Sequence, residues 1–237
     1  MKKIILFLAF ILVKQLVFAQ GQLPDSVMMK LNGRVSFSIE AGYTQAGFYG
    51  TDKDSVSANG KTTTIAGCHV GIIAHTALGK EFFLQHELML TQKGAGVSKL
   101  DANNKLYDTE LRMLTLDLFP ASPTYRIGGF ELFAGPYLSM LVNGHYRLKD
   151  VQGNFYNKEI YGRPDQLGQT EKYLEKIDYG INAGVSFSYK ALSLRVKYVQ
   201  GFAEVLDDPY ALNVGNPKTS INVYNRYLNF SVAYRIW

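Results

Sequence analysis

The connections between the strand-like segments of this chain alternate strictly between long and short. The long, polar connections are residues 50–61, 98–107, 148–175 and 207–223. The tight connections are residues 78–80, 127–129 and 190–191. Because consecutive antiparallel strands turn at opposite ends of a sheet, this order collects the long loops at one end and the tight turns at the other. A soluble β-sandwich has no reason to separate its connections in this way.

The segments between these connections have the two-residue period of β-strands. In residues 35–43 every odd position is apolar or small, whereas the even positions include Ser36, Ser38 and Glu40. The same alternation is clear in residues 177–189, 192–198 and 228–236. Weaker examples are residues 62–77, 81–97, 108–125 and 130–147. The sequence therefore predicts eight antiparallel strands.

The predicted fold class is all-β: an eight-stranded antiparallel up-and-down transmembrane β-barrel with short periplasmic turns and long extracellular loops. Aromatic residues cluster near both ends of the predicted strands, for example Phe82, Phe83 and Tyr125 at the short turns and Tyr43, Phe48 and Tyr49 at the long loops. Two aromatic girdles at the membrane interfaces would have this distribution. An even number of strands also puts both chain termini on the periplasmic side.

The N-terminal residues have the order of a secretory signal peptide. Lys2 and Lys3 precede an apolar run at residues 4–13, and Ala19 offers a small residue before a cleavage site. A single transmembrane anchor is the alternative, but Lys14 interrupts the run before it could span about 30 Å of hydrocarbon. The expected division is a signal peptide at 1–19, a periplasmic leader at 20–33 and an outer-membrane β-barrel at 34–237. The expected location is the cell outer membrane, reached through a cleaved signal peptide.

Charge and cysteine content argue against several other classes of function. The formal charge of +5 includes Lys2, Lys3 and Lys14, and without them 22 basic and 20 acidic residues leave a net charge of +2. The basic pI is therefore no indication of nucleic-acid binding. The lone Cys68 cannot form an internal disulfide, and no Cys/His spacing indicates zinc. No cofactor and no metal are predicted.

Several short segments, in order along nearly the whole predicted mature chain, carry a family resemblance. They are residues 114–120 (LTLDLFP), 133–137 (FAGPY), 178–184 (DYGINAG), 195–201 (RVKYVQG) and 233–237 (AYRIW). With these segments the chain resembles the PorT-like outer membrane protein β-barrel family. It departs from the family at Trp237, since those barrels commonly close on Phe. The resemblance implies an outer-membrane barrel and no single activity, because the family is named for one secretion-linked member.

If the apolar positions face lipid, the positions of opposite parity face the barrel lumen. The predicted lumen polar cluster is Glu40, Glu87, Asp117, Glu131, Asp178, Arg195, Lys197 and Arg235. An eight-stranded barrel is just wide enough inside for side chains, and an isolated buried charge is costly. We therefore interpret the cluster as a structural core of ion pairs and hydrogen bonds. A narrow conductance or a ligand pocket is the alternative.

The histidines do not form an evident site. His69 and His75 share one strand face but lie about 20 Å apart by strand rise, too far to chelate one metal together. His86 has the parity of Leu84 and Leu88, which indicates a register break or an interfacial site.

The long connection at residues 148–175 is the segment most suited to recognition, since long loops on rigid scaffolds often bind partners. Its candidate contact residues are Tyr156, Tyr161 and Tyr173. No catalytic residue is predicted, and a GxSxG nucleophile elbow is absent.

These features favour a non-enzymatic outer-membrane barrel with a structural or interaction role, through its extracellular loops or its side-chain-filled lumen, linked to secretion or to the cell envelope. The alternatives are an outer-membrane lipid-modifying enzyme and a soluble periplasmic lipocalin-like binder. The expected partners are outer-membrane lipid and other envelope or secretion proteins, not nucleic acid. The oligomeric state stays open.

Overall fold

The computed structural model describes residues 35–100, 105–149, 154–159, 174–206 and 222–236. The predicted signal peptide and leader, at residues 1–33, lie outside these ranges, as do Tyr161 and Tyr173. Within the described ranges, no helix has the length and apolarity that crossing a membrane requires.

The described residues form nine antiparallel strands. They are β1 (Val35–Tyr49), β2 (Ile65–Ala77), β3 (Phe82–Leu100), β4 (Leu106–Ile127), β5 (Phe130–Lys149), β6 (Phe155–Glu159), β7 (Ile177–Tyr189), β8 (Leu192–Glu204) and β9 (Tyr224–Arg235). Each strand of the ring β1-β2-β3-β4-β5-β7-β8-β9 pairs with the next, and β9 pairs back onto β1. The ring has eight strands, so the predicted fold class is confirmed. Strand β6 lies outside the ring and pairs with the end of β5.

The tight connections lie together at one end of the barrel, here called the turn end. Strands β4 and β5 are joined by Gly128 and Gly129, and β7 and β8 by Lys190 and Ala191. Gly128 and Lys190 have φ values of 59° and 57°, the left-handed conformation that two-residue hairpin turns need to match the twist of their strands. Lys190 adopts this conformation although it has a Cβ atom, which costs conformational free energy that glycine would not lose.

The opposite, loop end differs from the prediction. Residues 98–100 and 106–107, at the two edges of the loop predicted at 98–107, are strand, because residues 94–100 of β3 pair with residues 106–112 of β4. Strand β6 likewise lies within the loop predicted at 148–175. The loop end is therefore an extended sheet of β3, β4, β5 and β6 rather than a set of irregular loops alone.

The outer surface of the ring is apolar, as the alternation predicts. Exposed side chains there include Ile39, Ile72, Leu88, Leu118, Leu138, Ile181, Val196 and Val232, one from each strand of the ring. Aromatic pairs stand near both ends. Phe82–Tyr125 and Phe130–Phe187 have ring centroids 4.9 Å apart near the turn end, and Tyr49–Tyr224 has centroids 5.3 Å apart near the loop end.

The parity break predicted at His86 is a register shift between Gln85 and Glu87 in the pairing of β3 with β4. The His86 ring forms a hydrogen bond through Nδ1 with the carbonyl oxygen of Pro120. The extra residue lies in β4, where three positions separate Phe119 from Ser122 opposite the two that separate Glu87 from Gln85, so Phe119 and Ser122 are both buried inside the barrel.

Candidate functional site

The barrel interior contains two clusters of buried charges. The turn-end charge cluster consists of Glu40, Glu87, Arg195 and Lys197, all at most 3% exposed. Arg195 bridges the two carboxylates, with Nε 3.1 Å from Glu40 Oε2 and Nη2 2.7 Å from Glu87 Oε1. Lys197 forms a further ion pair with Glu87. Two carboxylates and two cations thus neutralise one another where water cannot screen them.

Other polar side chains add hydrogen bonds around this cluster, whereas Glu40 Oε2, Arg195 Nε and His69 Nε2 make ion-pair contacts only. Ser231 Oγ donates to Glu40 Oε1 at 2.7 Å, and Gln85 donates to Glu87. His69 Nε2 lies 3.4 Å from Glu40 Oε1, and its Nδ1 is 2.9 Å from the hydroxyl of Thr44. A buried ion pair stabilises a fold only when its remaining lone pairs and protons are also partnered. Pleat alternation brings these groups to the inner face from strands far apart in sequence.

A single ion pair lies at the turn-end rim. Arg126 contacts Glu131 Oε1 at 2.7 Å through Nε and at 2.5 Å through Nη2. Ser186 donates to Glu131 Oε2 at 2.8 Å. The Arg126 side chain is 28% exposed, so this ion pair is partly hydrated, whereas the turn-end charge cluster is buried.

An aromatic layer of Phe119, Tyr137 and Tyr227 crosses the middle of the barrel. Ring centroids are 5.9 Å apart for Phe119–Tyr137 and 6.4 Å apart for Tyr137–Tyr227. Apolar side chains that pack with this layer are Ala46, Ile73, Met89, Val199 and Ala233. Lys197 Nζ lies 3.9 Å from the Phe119 centroid, and Lys93 Nζ lies 5.1 Å from the Tyr227 centroid.

The loop-end charge cluster consists of Lys93, Asp117 and Asp178. Lys93 Nζ lies 3.5 Å from Asp117 Oδ1 and 3.9 Å from Asp178 Oδ2. Two carboxylates share this one ammonium, so hydroxyl and amide donors supply the other hydrogen bonds. Asp117 accepts from Ser139 at 2.5 Å and from Tyr227 at 2.6 Å, and Asp178 accepts from Tyr137 and, at 3.1 Å, from Asn225.

The order of residues along single strands shows that the aromatic layer separates the two clusters. On β3, Glu87 of the turn-end cluster precedes Met89 of the layer, and Lys93 of the loop-end cluster follows. On β4, which runs the other way, Asp117 precedes Phe119. The aromatic layer therefore lies between the two charge clusters, and its two tyrosine hydroxyls donate to the loop-end carboxylates.

An apolar cap closes the interior at the loop end. It consists of Phe48, Val56, Ala95, Val97, Leu111, Met113, Leu141, Tyr146, Leu174, Val205, Leu206 and Val223. The cap draws on the protruding parts of β3, β4 and β5 and on the segments that flank β7, β8 and β9. The cap residues of β3, β4 and β5 all lie within the strands predicted at 81–97, 108–125 and 130–147.

All of the predicted lumen residues except Arg235 are at most 9% exposed and lie inside the barrel. The expectation for Arg235 needs correction: it has the inward parity but is exposed, because it is the last residue of β9, at the turn-end mouth. Lys93 was missed, although its parity with Glu87 marks it as inward. Tyr156 is 49% exposed on β6, and its role as a contact residue stays a prediction.

His69 and His75 contact different residues in the structure. His69 belongs to the hydrogen bonds around Glu40, whereas His75 Nε2 lies 3.1 Å from Gln85 Oε1. In the part of the chain that the structure describes, no group of three or more His, Cys, Asp or Glu side chains has an arrangement suited to a metal ion.

Comparison with known proteins identifies the family to which this chain is similar. The model of a family described as outer membrane protein beta-barrel domain matches residues 18–207. Neisserial surface protein A is similar at 14% identity and a TM-score of 0.47, over 84% of this chain and 97% of that one. Ail of Yersinia pestis, in complex with the heparin analogue sucrose octasulfate, is similar at 13% identity and a TM-score of 0.44, over 86% and 99%. No curated protein matches the sequence.

Proposed function

This chain belongs to the outer membrane protein β-barrel domain family, and we propose that it works there as a non-enzymatic interaction protein. Its filled barrel anchors it in the outer membrane, and its extracellular loop end contacts partners of the cell envelope. The proposal includes export through a cleaved signal peptide at residues 1–19 and membership of the PorT-like branch. The composition of the N-terminal residues and the five short segments of resemblance support these two points.

The observation that carries the proposal is the continuous filling of the lumen. From the turn end to the loop end, the interior holds the turn-end charge cluster, the aromatic layer, the loop-end charge cluster and the apolar cap. An eight-stranded barrel has no spare width once such side chains are in place. A protein filled in this way is better suited to display a surface than to pass solutes.

The geometry supports this role over the alternatives. A lipid-modifying enzyme needs acid–base groups within reach of lipid, and His69, one of the histidines it could use, is 3% exposed, bound to Thr44 and near Glu40. A soluble lipocalin-like binder would have a polar outer face, whereas every strand of the ring carries exposed apolar side chains outward.

The first test is the heat-modifiability of the protein in the outer-membrane fraction. A closed barrel that resists SDS without heating should migrate faster unheated and shift to its full apparent mass after boiling. Migration that is the same before and after boiling, with the protein in the soluble periplasm, would contradict the membrane anchor.

A second measurement addresses the sealed lumen. In planar bilayers the purified barrel should give little or no stable conductance, because an aromatic layer and an apolar cap both cross its path. A porin inserted by the same procedure is the positive control. A reproducible large pore from this protein would show that the interior opens, and the scaffold role would lose its main support.

A further inference from the structure

A polar pocket of about 380 Å³ lies at the loop end, outside the filled lumen. It is enclosed by the β1–β2 connection, the protruding parts of β3 and β4, and the end of β5. The side chains that give it its chemistry are Lys61, Thr63, Thr64, Asp108, Glu110 and Arg147. The volume is within the range of about 300–1,000 Å³ typical of small-molecule sites.

The β1–β2 connection is fastened to β3, so the pocket is formed before any ligand arrives. Thr63 and Gly96 exchange two backbone hydrogen bonds of 2.9 Å. Ser57 accepts from the Ser98 N–H at 2.7 Å through Oγ, and Ala58 N–H donates to the Ser98 carbonyl at 2.8 Å. A site held open by such contacts loses less entropy on binding than a mobile loop does.

Asp54 stabilises the β1–β2 connection through hydrogen bonds with another residue of the same connection. Its Oδ1 accepts from the backbone N–H of Thr62 at 2.9 Å and from the Thr62 hydroxyl at 3.1 Å. These bonds, the backbone one foremost, lower the pKa of the Asp54 carboxyl from its ordinary value. Since the lowered pKa favours the ionised form, the contact is in place at neutral pH and weakens only as the pH falls through that lowered value.

Gly96 leaves the space that makes the pocket. A Cβ added at this position would collide with the Thr63 hydroxyl oxygen. A larger side chain would therefore displace Thr63 or fill the pocket. The same close approach explains how the connection can lie flat against β3.

The pocket lining carries charges of both signs. Lys61, Arg147, Asp108 and Glu110 line it together with the threonine hydroxyls, and Glu110 is also paired with Arg112, whose Nε lies 2.6 Å from Glu110 Oε2. Asp108 Oδ1 accepts from Ser98 at 2.7 Å, which orients its carboxylate. A phosphate or an ammonium group would meet one pair of like charges in such a lining, whereas an uncharged molecule rich in hydroxyls can donate to the carboxylates and accept from the cations.

We propose that this pocket binds a neutral sugar unit. The proposal rests on the proposed function, in which the loop end is the contact surface, and it names the chemistry of the partner. The sugar can belong to the headgroup of an outer-leaflet lipid or to a free glycan, since the hydroxyl pattern that the pocket recognises is common to both.

The test uses the full barrel, folded in a zwitterionic detergent whose headgroup is not a sugar. Methyl glycosides of glucose, galactose, mannose and N-acetylglucosamine are titrated, and binding is followed by saturation-transfer NMR. Saturable binding of at least one probe is expected. Octyl glycosides of the same sugars separate the two sources: a tail that strengthens binding indicates a lipid headgroup, and equal affinity indicates a free glycan.

Three variants link binding to this pocket. Gly96→Val should abolish it, and Asp108→Asn should weaken it roughly tenfold, because one charge-assisted hydrogen bond is lost. Gly79→Val is the matched control, since a Cβ at this turn-end glycine meets nothing within 4 Å. Each variant is first checked for the heat-dependent gel shift, so that a misfolded barrel is not scored.

Wild-type barrel that shifts on heating but binds none of the neutral probes would overturn the sugar inference and leave the proposed function standing. So would binding limited to sulfated or phosphorylated sugars, or binding that both Gly96→Val and Asp108→Asn retain in full. Absence of the gel shift, or a large conductance, would instead count against the proposed function itself.

Discussion

Glu87→Ala should destabilise the folded barrel by about 3–5 kcal/mol, the cost typical of removing one partner from a buried ion pair. Arg195 and Lys197 both contact this carboxylate, and all three side chains are at most 3% exposed. Without Glu87 two cations face the single carboxylate of Glu40 in a space that water does not reach. The net charge left inside, rather than the lost packing, accounts for most of the effect.

The free energy of unfolding is measured by urea titration of the barrel in detergent micelles, followed by the gel shift. Glu81→Ala is the control, because Glu81 is exposed at the turn end, its side chain accepts a hydrogen bond of 3.2 Å from Tyr125, and its backbone bond to Arg126 is kept. Its removal should cost at most about 1 kcal/mol. A loss at Glu87 no larger than the loss at Glu81 would mean that the lumen is hydrated and that the cluster is not buried in the folded protein.

Glu87→Gln distinguishes the effect of losing the negative charge from the effect of losing side-chain volume. The amide keeps the volume of the carboxylate, so the neighbouring side chains need not move. If the uncompensated cations are the cause, this variant should lose most of the stability that Glu87→Ala loses. If packing is the cause, it should stay close to the wild type.

The positions of the interior charges could be predicted because the side chains of a strand alternate between two faces. Once the apolar positions are assigned to the outside, Glu40, Asp117 and Arg195 must point inward, and the structure places them there. The long and short connections determine the antiparallel order in the same way. Both arguments need only local sequence and no knowledge of which strands are neighbours.

The partners of those charges could not be predicted by the same means. Whether Asp117 meets Lys93 or Lys197 depends on the stagger of the strands around the ring, which single-strand patterns do not contain. The aromatic layer arises from that stagger, since Phe119, Tyr137 and Tyr227 come from three different strands. Parity alone also failed at Arg235. Its position in the strand points inward, but a residue is buried only if it lies far enough from the barrel mouth.

The strand extensions at the loop end were missed for another reason. Residues 98–107 are polar and contain Asp and Asn, which favour loops. In the structure the pairing of β3 with β4 continues past the apolar band, where both faces of a hairpin can be polar. The pocket beside Gly96 depends on how the β1–β2 connection packs against β3, through contacts such as Thr63 with Gly96 and Ser57 with Ser98, and single-strand patterns do not contain such contacts.

Val196→Arg should cost about 2–4 kcal/mol, the penalty for an arginine on the lipid face near the middle of a membrane barrel. Val196 lies on the outer face of β8 and pairs with Phe230 and Val185, both also exposed outward. An arginine there has a long path to either interface. The stability is measured by urea unfolding in phospholipid vesicles, where the hydrocarbon is present.

Leu192→Arg is the matched control, because Leu192 is four residues earlier on the same face of the same strand, at the turn end. The same substitution near an interface should cost only about 0–1 kcal/mol. Equal costs at the two positions would contradict a dependence on membrane depth and thus the assignment of this face to lipid. A large cost at Val196 alone would show that this face of β8 contacts lipid and that Leu192 lies nearer a membrane interface than Val196 does.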